Sequence, residues 1–349
     1  MLLAAAAEWV RQGVHCEILG NAERAGSFAH ALAQVGYVVH HVPLSGWPVS
    51  LVRLARFVRG RGYDVVHVHT ERANFSIGLA CRWGCSKQVI RTIHSNFPYQ
   101  GMLRLVRMAQ RRALTLMGVR HVAISTGVQD TEREWLHNST RLIWNWYDDT
   151  HFQPPGGDAR RLARARFSIA DQEYVISTVG NCSPIKNHAA LLEALAMLPS
   201  DAPIRYIHVG NEGSGHPERA LAAKLGVSGK VTFAGDMDDP RQALYAADAF
   251  VQPSLREGFS IAALEALAVG LPAVLSDTPG LRDLRCEFPA LIYVQPDAPS
   301  IAEGLRQALR ESQALRLRAS TDHPTIAQRR FGMGRGVSAY AALYRGDPR

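Results

Sequence analysis

Short runs of β-branched and apolar residues alternate with longer amphipathic segments along all 349 residues, and this limits the possible folds more than any other feature. Such alternation is typical of βαβ units, in which helices connect the parallel strands of a sheet. Parallel strands are covered on both faces and are therefore almost continuously apolar. We predict strands at 15–19, 37–42, 65–69, 89–94, 121–124, 141–144, 174–179, 204–209, 231–234, 249–252, 272–275 and 291–294. The helices predicted between them include 50–59, 188–198, 218–225, 242–247 and 261–269.

Two domains fit this length, because an ordinary domain has about 150 residues. The run Pro-Pro-Gly-Gly-Asp at 154–158 is a strong break between periodic segments. We predict two doubly wound α/β domains, 1–150 and 151–349, with a hinge within 147–172.

The N-terminus departs from that scheme. A Rossmann-like domain normally opens with a central strand and a glycine-rich turn. Here residues 2–12 read as a helix, and the first strand follows at 15–19. We therefore expect the opening strand of the first domain to be missing.

Composition excludes several classes of protein. A hydrophobic fraction of 47% excludes a disordered chain, and no apolar run reaches the roughly 20 residues of a membrane span. The five cysteines include no CxxC pair, so we expect reduced thiols and a cytoplasmic protein. Residues 1–150 hold 17 Lys+Arg against 10 Asp+Glu, which gives +7 of the total +8. This half favours anionic partners, but the chain has no compact basic block with aromatics, so nucleic acid is not expected.

The segment 253–267 follows a predicted strand, passes Gly258 and opens an apolar helix. The start of a helix presents unpaired N–H groups and a positive dipole, which suit a phosphate. Glu257 and Glu265 flank that start and can accept hydrogen bonds from sugar hydroxyls. The alternative is an ordinary helix start in which the dipole favours an acidic residue.

A second segment, 179–188, also lies between a strand and a helix and contains Lys186. A cation is unfavourable at a helix N-terminus, so its presence favours a role in neutralising a diphosphate. His94 ends the strand 89–94 at the carboxyl edge of a parallel sheet, where ligands bind in such folds. The glycines at 210–215 have the spacing GxxGxG, which is not the dinucleotide fingerprint, and we interpret them as a loop.

Glu257 and Glu265 form an E-x7-E motif, and with Pro253-Ser254 they resemble the donor-binding signature of the GT4 family of retaining glycosyltransferases. Further segments are similar to that family at 64–69, 92–95, 144–154, 180–187 and 276–280. The resemblance covers nearly the whole chain and is most specific over 174–285. Two features depart from it, because Asn181 stands where many members have arginine and the N-terminal Gly-Gly loop is absent.

The resemblance implies the GT-B architecture, two facing Rossmann-like domains with a sugar nucleotide in the cleft and a C-terminal helix returning to the first domain. It implies that Lys186 contacts the diphosphate, Glu257 the donor sugar and Glu265 the ribose, with His94 beside the reacting carbon. The other donor-binding residues that it implies are Gly180, Asn181, Ser254, Gly258, Phe259, Ser260 and Ile261.

The implied activity is metal-independent, retaining transfer of a hexosyl group. The donor is a UDP- or GDP-linked sugar, no cofactor takes part, and the acceptor is a glycan or lipid-linked molecule of cell-envelope polysaccharide synthesis. The missing first strand motivates an alternative, a non-catalytic subunit that binds nucleotide sugars.

Two predicted helices carry arginines at helical spacing. In 101–117 Arg104, Arg107 and Arg111 share one face, which methionines and leucines flank, and 50–61 repeats the arginine pattern. A basic face beside an apolar one is typical of interfacial helices, so we expect peripheral contact with an anionic membrane, at its inner face. The alternative is an ordinary surface helix that packs its apolar side on the sheet.

Overall fold

A computed structural model describes residues 1–24, 26, 28–45, 48–71, 73–85 and 87–347. The chain divides into two compact units. The first unit contains Met1–Asp148 and the C-terminal segment from Met333, and the second contains Asp149–Gly332. None of the described helices is long and apolar enough to cross a membrane.

The first unit contains two parallel sheets. Its strands are β1 (Glu17–Gly20), β2 (Val38–His41), β3 (Val65–Val68), β4 (Gln88–Ile93), β5 (Val119–Ala123) and β6 (Arg141–Leu142). Strands β1 and β2 pair with each other, and the other four form a sheet in the order β3-β4-β5-β6. All six coincide with predicted strands to within a few residues.

Helices cover both faces of the four-stranded sheet. They are α1 (Leu2–Arg11), α2 (Phe28–Gln34), α3 (Val49–Arg61), α4 (Asn74–Gly84), α5 (Gly101–Leu116) and α6 (Thr126–Asp130), the last continuing as a π-helical turn, Thr131–Trp135. Successive strand residues point to opposite faces. Ile90 of β4 therefore packs with Trp9 of α1, whereas Val89 packs with Leu54 of α3 and Leu114 of α5.

The second unit has one six-stranded parallel sheet. Its strands are β7 (Tyr174–Val179), β8 (Ile204–Val209), β9 (Val231–Phe233), β10 (Ala249–Gln252), β11 (Ala273–Ser276) and β12 (Leu291–Val294). The order is β12-β11-β10-β7-β8-β9, so the direction of winding reverses between β7 and β10. Ligands of doubly wound sheets bind beyond the carboxyl ends of the strands at such a reversal. This order confirms the predicted doubly wound fold of the second half.

The helices of the second unit flank that sheet. They are α7 (Ala159–Arg166), α8 (His188–Ala196), α9 (Pro217–Lys224), α10 (Arg241–Ala246), α11 (Ile261–Ala268), α12 (Ala298–Arg310) and α13 (Ser312–Phe331), after which α14 (Met333–Tyr344) belongs to the first unit. Helix α7, which we did not predict, follows the break at 154–158 and lies within the segment 147–172. It is held there because Arg160 and Arg164 both bond to Asp248, next to β10.

The arginines of α5 lie on the opposite face from the one that we expected. Arg111 is buried and forms a two-bond ion pair with Glu132, with N–O distances of 2.6 and 2.7 Å. The guanidinium of Arg104 stacks on Trp135 at 4.5 Å from the ring centroid. These side chains point inward because neighbouring segments offer them a carboxylate and aromatic faces.

The outward face of α5 consequently carries several large apolar side chains, with Arg112 exposed among them. The most exposed of the large apolar side chains are Met102 and Leu116, at 74% and 77%, and Leu105 and Val106 are also exposed. The expected basic face on this helix is therefore wrong. On α3, by contrast, the arginines predicted to lie outside are exposed: Arg53, Arg56 and Arg59.

Candidate functional site

The loops that follow β7 and β8 approach each other through their backbones. Gly180 and Gly210 both have positive φ, +154° and +139°. A Cβ on Gly210 would lie 2.9 Å from the Asn181 nitrogen and closer still to the Gly180 carbonyl, so only glycine fits there. Asn181 also accepts a hydrogen bond from the Asn211 N–H at 3.0 Å. The side chain at 181 thus fixes this loop.

Asn187 brings the loop after β7 to the loop after β10. It precedes α8 in the left-handed conformation, φ +59°. Its side-chain amide donates to the carbonyls of Pro253 and Pro296, at 3.0 and 2.9 Å. The Leu255 N–H donates to the Ile185 carbonyl at 2.8 Å. These bonds place Lys186 beside the segment that carries Glu257.

Lys186 and Glu257, predicted from separate motifs, form an ion pair in the structure. Lys186 Nζ lies 2.8 Å from Glu257 Oε1, and the side chains are 26% and 11% exposed. Ser254 Oγ donates to the same oxygen at 2.7 Å, and Gln252 Nε2 donates to it at 3.1 Å. Three donors therefore converge on one carboxylate oxygen at the carboxyl end of β10.

Helix α11 begins directly after this cluster. Ser260 caps it, because its Oγ accepts a hydrogen bond from the Ala263 N–H at 3.1 Å. Glu265 lies in the second turn and is half-buried. Phe259 is buried and packs on Phe331 with ring centroids 5.7 Å apart, so a contact between this residue and a ligand would come from its backbone. The site thus combines a cation, a held carboxylate and a capped helix start.

The turn after β11 packs against the backbone of the segment that carries Glu257. Gly280 has φ +85°, and a Cβ there would lie 2.8 Å from the Gly258 carbonyl oxygen and closer still to that of Glu257. Gly258 therefore packs against this turn, and Ile261 is the first residue of α11. Backbone packing at Gly280 fixes the position of Glu257.

His94 follows β4 in the first unit. Its Nε2 shares a hydrogen bond with His69 Nδ1 at 3.0 Å, and its backbone N–H donates to Glu71 Oε1 at 2.7 Å. Burial, and then the charge of Arg91, lower the pKa of His94 to about 4. The imidazole is therefore neutral near pH 7 and can serve only as a neutral hydrogen-bonding group. Among the described residues no group of three His, Cys, Asp or Glu side chains has the geometry to hold a metal ion.

Sequence reasoning missed Gln252, and it also missed His69 and Glu71, which both bond to His94. Gln252 is the one polar residue of β10, and its place at the carboxyl end of that strand is a usable signal. The position of Glu71 just beyond β3 is a usable signal, because the carboxyl ends of neighbouring parallel strands meet at one edge.

Two family models match the chain, "Glycosyltransferase Family 4" over residues 1–151 and "Glycosyl transferases group 1" over residues 159–322. A D-inositol 3-phosphate glycosyltransferase of Mycolicibacterium smegmatis is 28% identical over 81% of this chain and 67% of that protein. The protein of the same name from Xylanimonas cellulosilytica is 26% identical over 96% and 88%.

Solved structures show the same fold at lower identity. Anabaena HepE, determined in complex with UDP-glucose, has a TM-score of 0.82 and 18% identity, covering 99% of this chain and 96% of that one. A glycosyltransferase from Rickettsia africae has a TM-score of 0.84 and 17% identity, covering 99% and 94%. The two models together account for nearly the whole chain, and the protein belongs to the GT4-type glycosyltransferases, which have the GT-B fold.

Proposed function

We propose that this protein transfers a hexosyl group from a nucleoside diphosphate sugar, with retention at the anomeric carbon and without a metal ion. The acceptor is a glycan or a lipid-linked molecule of polysaccharide synthesis. The observation that carries the proposal is the pair of Lys186 and Glu257 beside the capped start of α11, at the reversal of the sheet. The UDP-glucose complex of a protein with this fold supports a sugar nucleotide as donor.

Lys186 stabilises the leaving group in this proposal. When the bond from the anomeric carbon to the diphosphate breaks, negative charge grows on the phosphate oxygens. A positioned ammonium and helix N–H groups stabilise such charge most where water is excluded. A cation supplied by the chain performs the task that a divalent metal performs in other transferases, which supports metal independence.

Glu257 positions the donor sugar. Its Oε1 is saturated by three donors, whereas Oε2 has no hydrogen-bond partner among the described residues. Oε2 is therefore the oxygen that accepts hydrogen bonds from sugar hydroxyls, and Glu265 holds the ribose. The acceptor oxygen attacks from the face that the diphosphate leaves and passes its proton to that leaving group. No enzyme nucleophile is needed.

Calorimetry with UDP and GDP tests the donor site. A charge-assisted contact contributes about 1.5–3 kcal/mol, so Lys186→Ala should weaken nucleoside diphosphate binding about 10- to 150-fold. Lys224→Ala is the matched control, because Lys224 is an exposed lysine of the same unit. Unchanged affinity in Lys186→Ala would contradict the assignment.

Slow hydrolysis of the donor tests the stereochemistry without knowledge of the acceptor. Proton NMR at early times should show glucose released from UDP-glucose in the α configuration of the donor. Release of the β anomer refutes retention. Tight nucleotide binding with no turnover, on water or on any acceptor, would favour the alternative of a non-catalytic binding subunit.

A membrane-bound acceptor also fits the surface of the first unit. We infer that the outward face of α5, with Met102, Leu105 and Leu116, enters the lipid interface, while the exposed arginines of α3 favour anionic headgroups. Leu105→Ser with Leu116→Ser should abolish co-sedimentation with anionic liposomes, whereas Arg53→Gln should only reduce it. Equal sedimentation of all variants would contradict this contact.

A further inference from the structure

Gln252 occupies an unusual place in the cluster around Glu257. It is the last residue of β10, only 1% exposed, and the strand holds its backbone. A buried amide is expected to satisfy both its N–H groups and its carbonyl oxygen. The partners that it finds are the residues that surround the proposed donor sugar.

The amide connects three parts of the site. Its Nε2 donates to Ser254 Oγ at 2.7 Å and to Glu257 Oε1 at 3.1 Å. Its Oε1 faces Ser260 Oγ at 3.5 Å, and Ser260 is the cap of α11. Ser254 accepts from Gln252 and donates to Glu257, so the bonds form a relay in one direction. This network fixes which end of the amide is nitrogen.

Binding of a diphosphate changes the demands on this network. In the proposed function Lys186 serves the phosphates, so its ammonium is drawn away from Glu257 or shared with them. Glu257 then loses its charged partner when its orientation matters most. The remaining donors to Oε1 among the described residues are Ser254 and Gln252, both neutral and therefore indifferent to the phosphate charge.

We propose that Gln252 is a positioning residue that holds the Glu257 carboxylate in place while Lys186 is engaged by the donor diphosphate. The inference rests on the proposed function and deepens it at the same site. Gln252 does not touch the sugar. It acts through Glu257, directly and through Ser254, and it ties that carboxylate to the cap of α11.

Two variants separate positioning from simple structural support. Gln252→Leu removes both donors and keeps a similar volume. Gln252→Glu keeps the shape, and when protonated the new carboxyl can donate one hydrogen bond in place of the amide. Two carboxyls that share a site raise the pKa of one of them, so this variant should hold that proton in mildly acidic solution and lose it as the pH rises.

The experiment measures UDP affinity by calorimetry and UDP release from UDP-glucose between pH 5 and 8. In Gln252→Leu we expect UDP affinity within about twofold of the wild type and kcat reduced about tenfold or more at every pH, since lost orientation acts on the reacting state. In Gln252→Glu the ratio of its kcat to that of the wild type should rise at least threefold from pH 8 to pH 5. Gln307→Glu is the control, because Gln307 also donates to a carboxylate, that of Glu311, but on an exposed helix face.

The outcomes are distinct. Wild-type kcat in Gln252→Leu, or a kcat ratio independent of pH in Gln252→Glu, overturns the role of Gln252 alone. A parallel loss of UDP affinity and kcat in both variants, with a lowered unfolding temperature, also overturns it, because it shows general structural support. Failure of the wild type to bind either UDP or GDP, or to release the nucleoside diphosphate from any UDP- or GDP-linked hexose, overturns the proposed function and this inference with it.

Discussion

Alanine in place of Gly280 should disturb the candidate site, although Gly280 is not itself one of the proposed donor-binding residues. Gly280 has φ +85°, and its position faces the backbone carbonyls of Glu257 and Gly258. The atoms that a new Cβ would meet there are backbone atoms, so no flexible side chain can move aside. The strain must be relieved by a shift of the segment that carries Glu257, or by a shift of the turn itself.

The magnitude follows from two contributions. A left-handed conformation costs a residue with a Cβ about 1–2 kcal/mol relative to glycine. Forcing an extra carbon into a packed region costs about 1–3 kcal/mol more. Together they lower the free energy of unfolding by about 2–5 kcal/mol, which corresponds to about 4–20 °C in Tm for a unit of this size.

Two measurements on Gly280→Ala check this reasoning. Thermal unfolding by circular dichroism gives the stability, and UDP release from UDP-glucose gives the effect on Glu257. We expect turnover to fall at least tenfold, because small displacements of positioning groups have large effects on rate, while UDP affinity changes less. Gly229→Ala is the control, because Gly229 has an ordinary φ and no atom lies within 4 Å of its added Cβ. A Tm and a turnover equal to those of the wild type in Gly280→Ala would refute the argument.

Three further predictions concern the first unit. Glu132→Gln should lower the free energy of unfolding by about 3–5 kcal/mol in urea titrations, because it leaves the Arg111 guanidinium buried without its counter-charge. Burial, and then the charge of Arg91, lower the pKa of His121 to about 4. Between pH 6.5 and 4 the imidazole is therefore protonated in the unfolded chain but stays neutral in the folded unit. Stability should therefore fall as the pH is lowered from 6.5 to 4, by about 1.4 kcal/mol per pH unit for this residue, and His121→Phe should flatten the measured slope. Gly336→Ala should lower the Tm by several degrees in calorimetry, because its Cβ would lie 2.7 Å from an indole carbon of Trp146 and closer to another.

The strands of the second unit were predictable almost to the residue. The runs 174–179, 204–209, 249–252 and 291–294 form β7, β8, β10 and β12 with those bounds. The runs 249–252 and 291–294 are apolar at nearly every position and the other two are apolar at four of six, which is typical of strands buried on both faces. Local pattern suffices there because burial alone determines the sequence.

Helix α4 shows where local pattern fails. Its segment contains Gly78 and Gly84, and glycine disfavours a helix interior. The structure explains both residues by close helix packing, since a Cβ on Gly84 would lie 2.9 Å from Val58 Cβ, and one on Gly78 would lie 3.2 Å from the Leu114 side chain. These glycines are needed because residues of α3 and α5 pack closely against them. The sequence of α4 alone does not reveal those contacts.

In the candidate site, too, some features were predictable from local sequence and others depend on distant residues. The motifs that contain Lys186 and Glu257 were visible because a lysine near a helix start and a glutamate before one are locally conspicuous. Their contact depends on Asn187, whose side chain ties together the loops after β7, β10 and β12. This link leaves no mark on the neighbouring sequence.

Helix α5 explains why a correct periodicity can still give the wrong orientation. At 100° per residue Arg104 and Arg111 fall on one face and Leu105 and Leu116 on the other, so the sequence separates two faces without saying which is buried. An amphipathic helix usually packs its apolar face inward. Here Glu132, on the adjoining π-helical turn, accepts two hydrogen bonds from Arg111, and the guanidinium of Arg104 stacks on Trp135. An arginine buried without such partners would be strongly unfavourable, so the position of Glu132 beside the sheet decides the orientation of the helix. As a consequence the outer face of α5 presents several large apolar side chains around the exposed Arg112, and three more arginines of this half are exposed on α3.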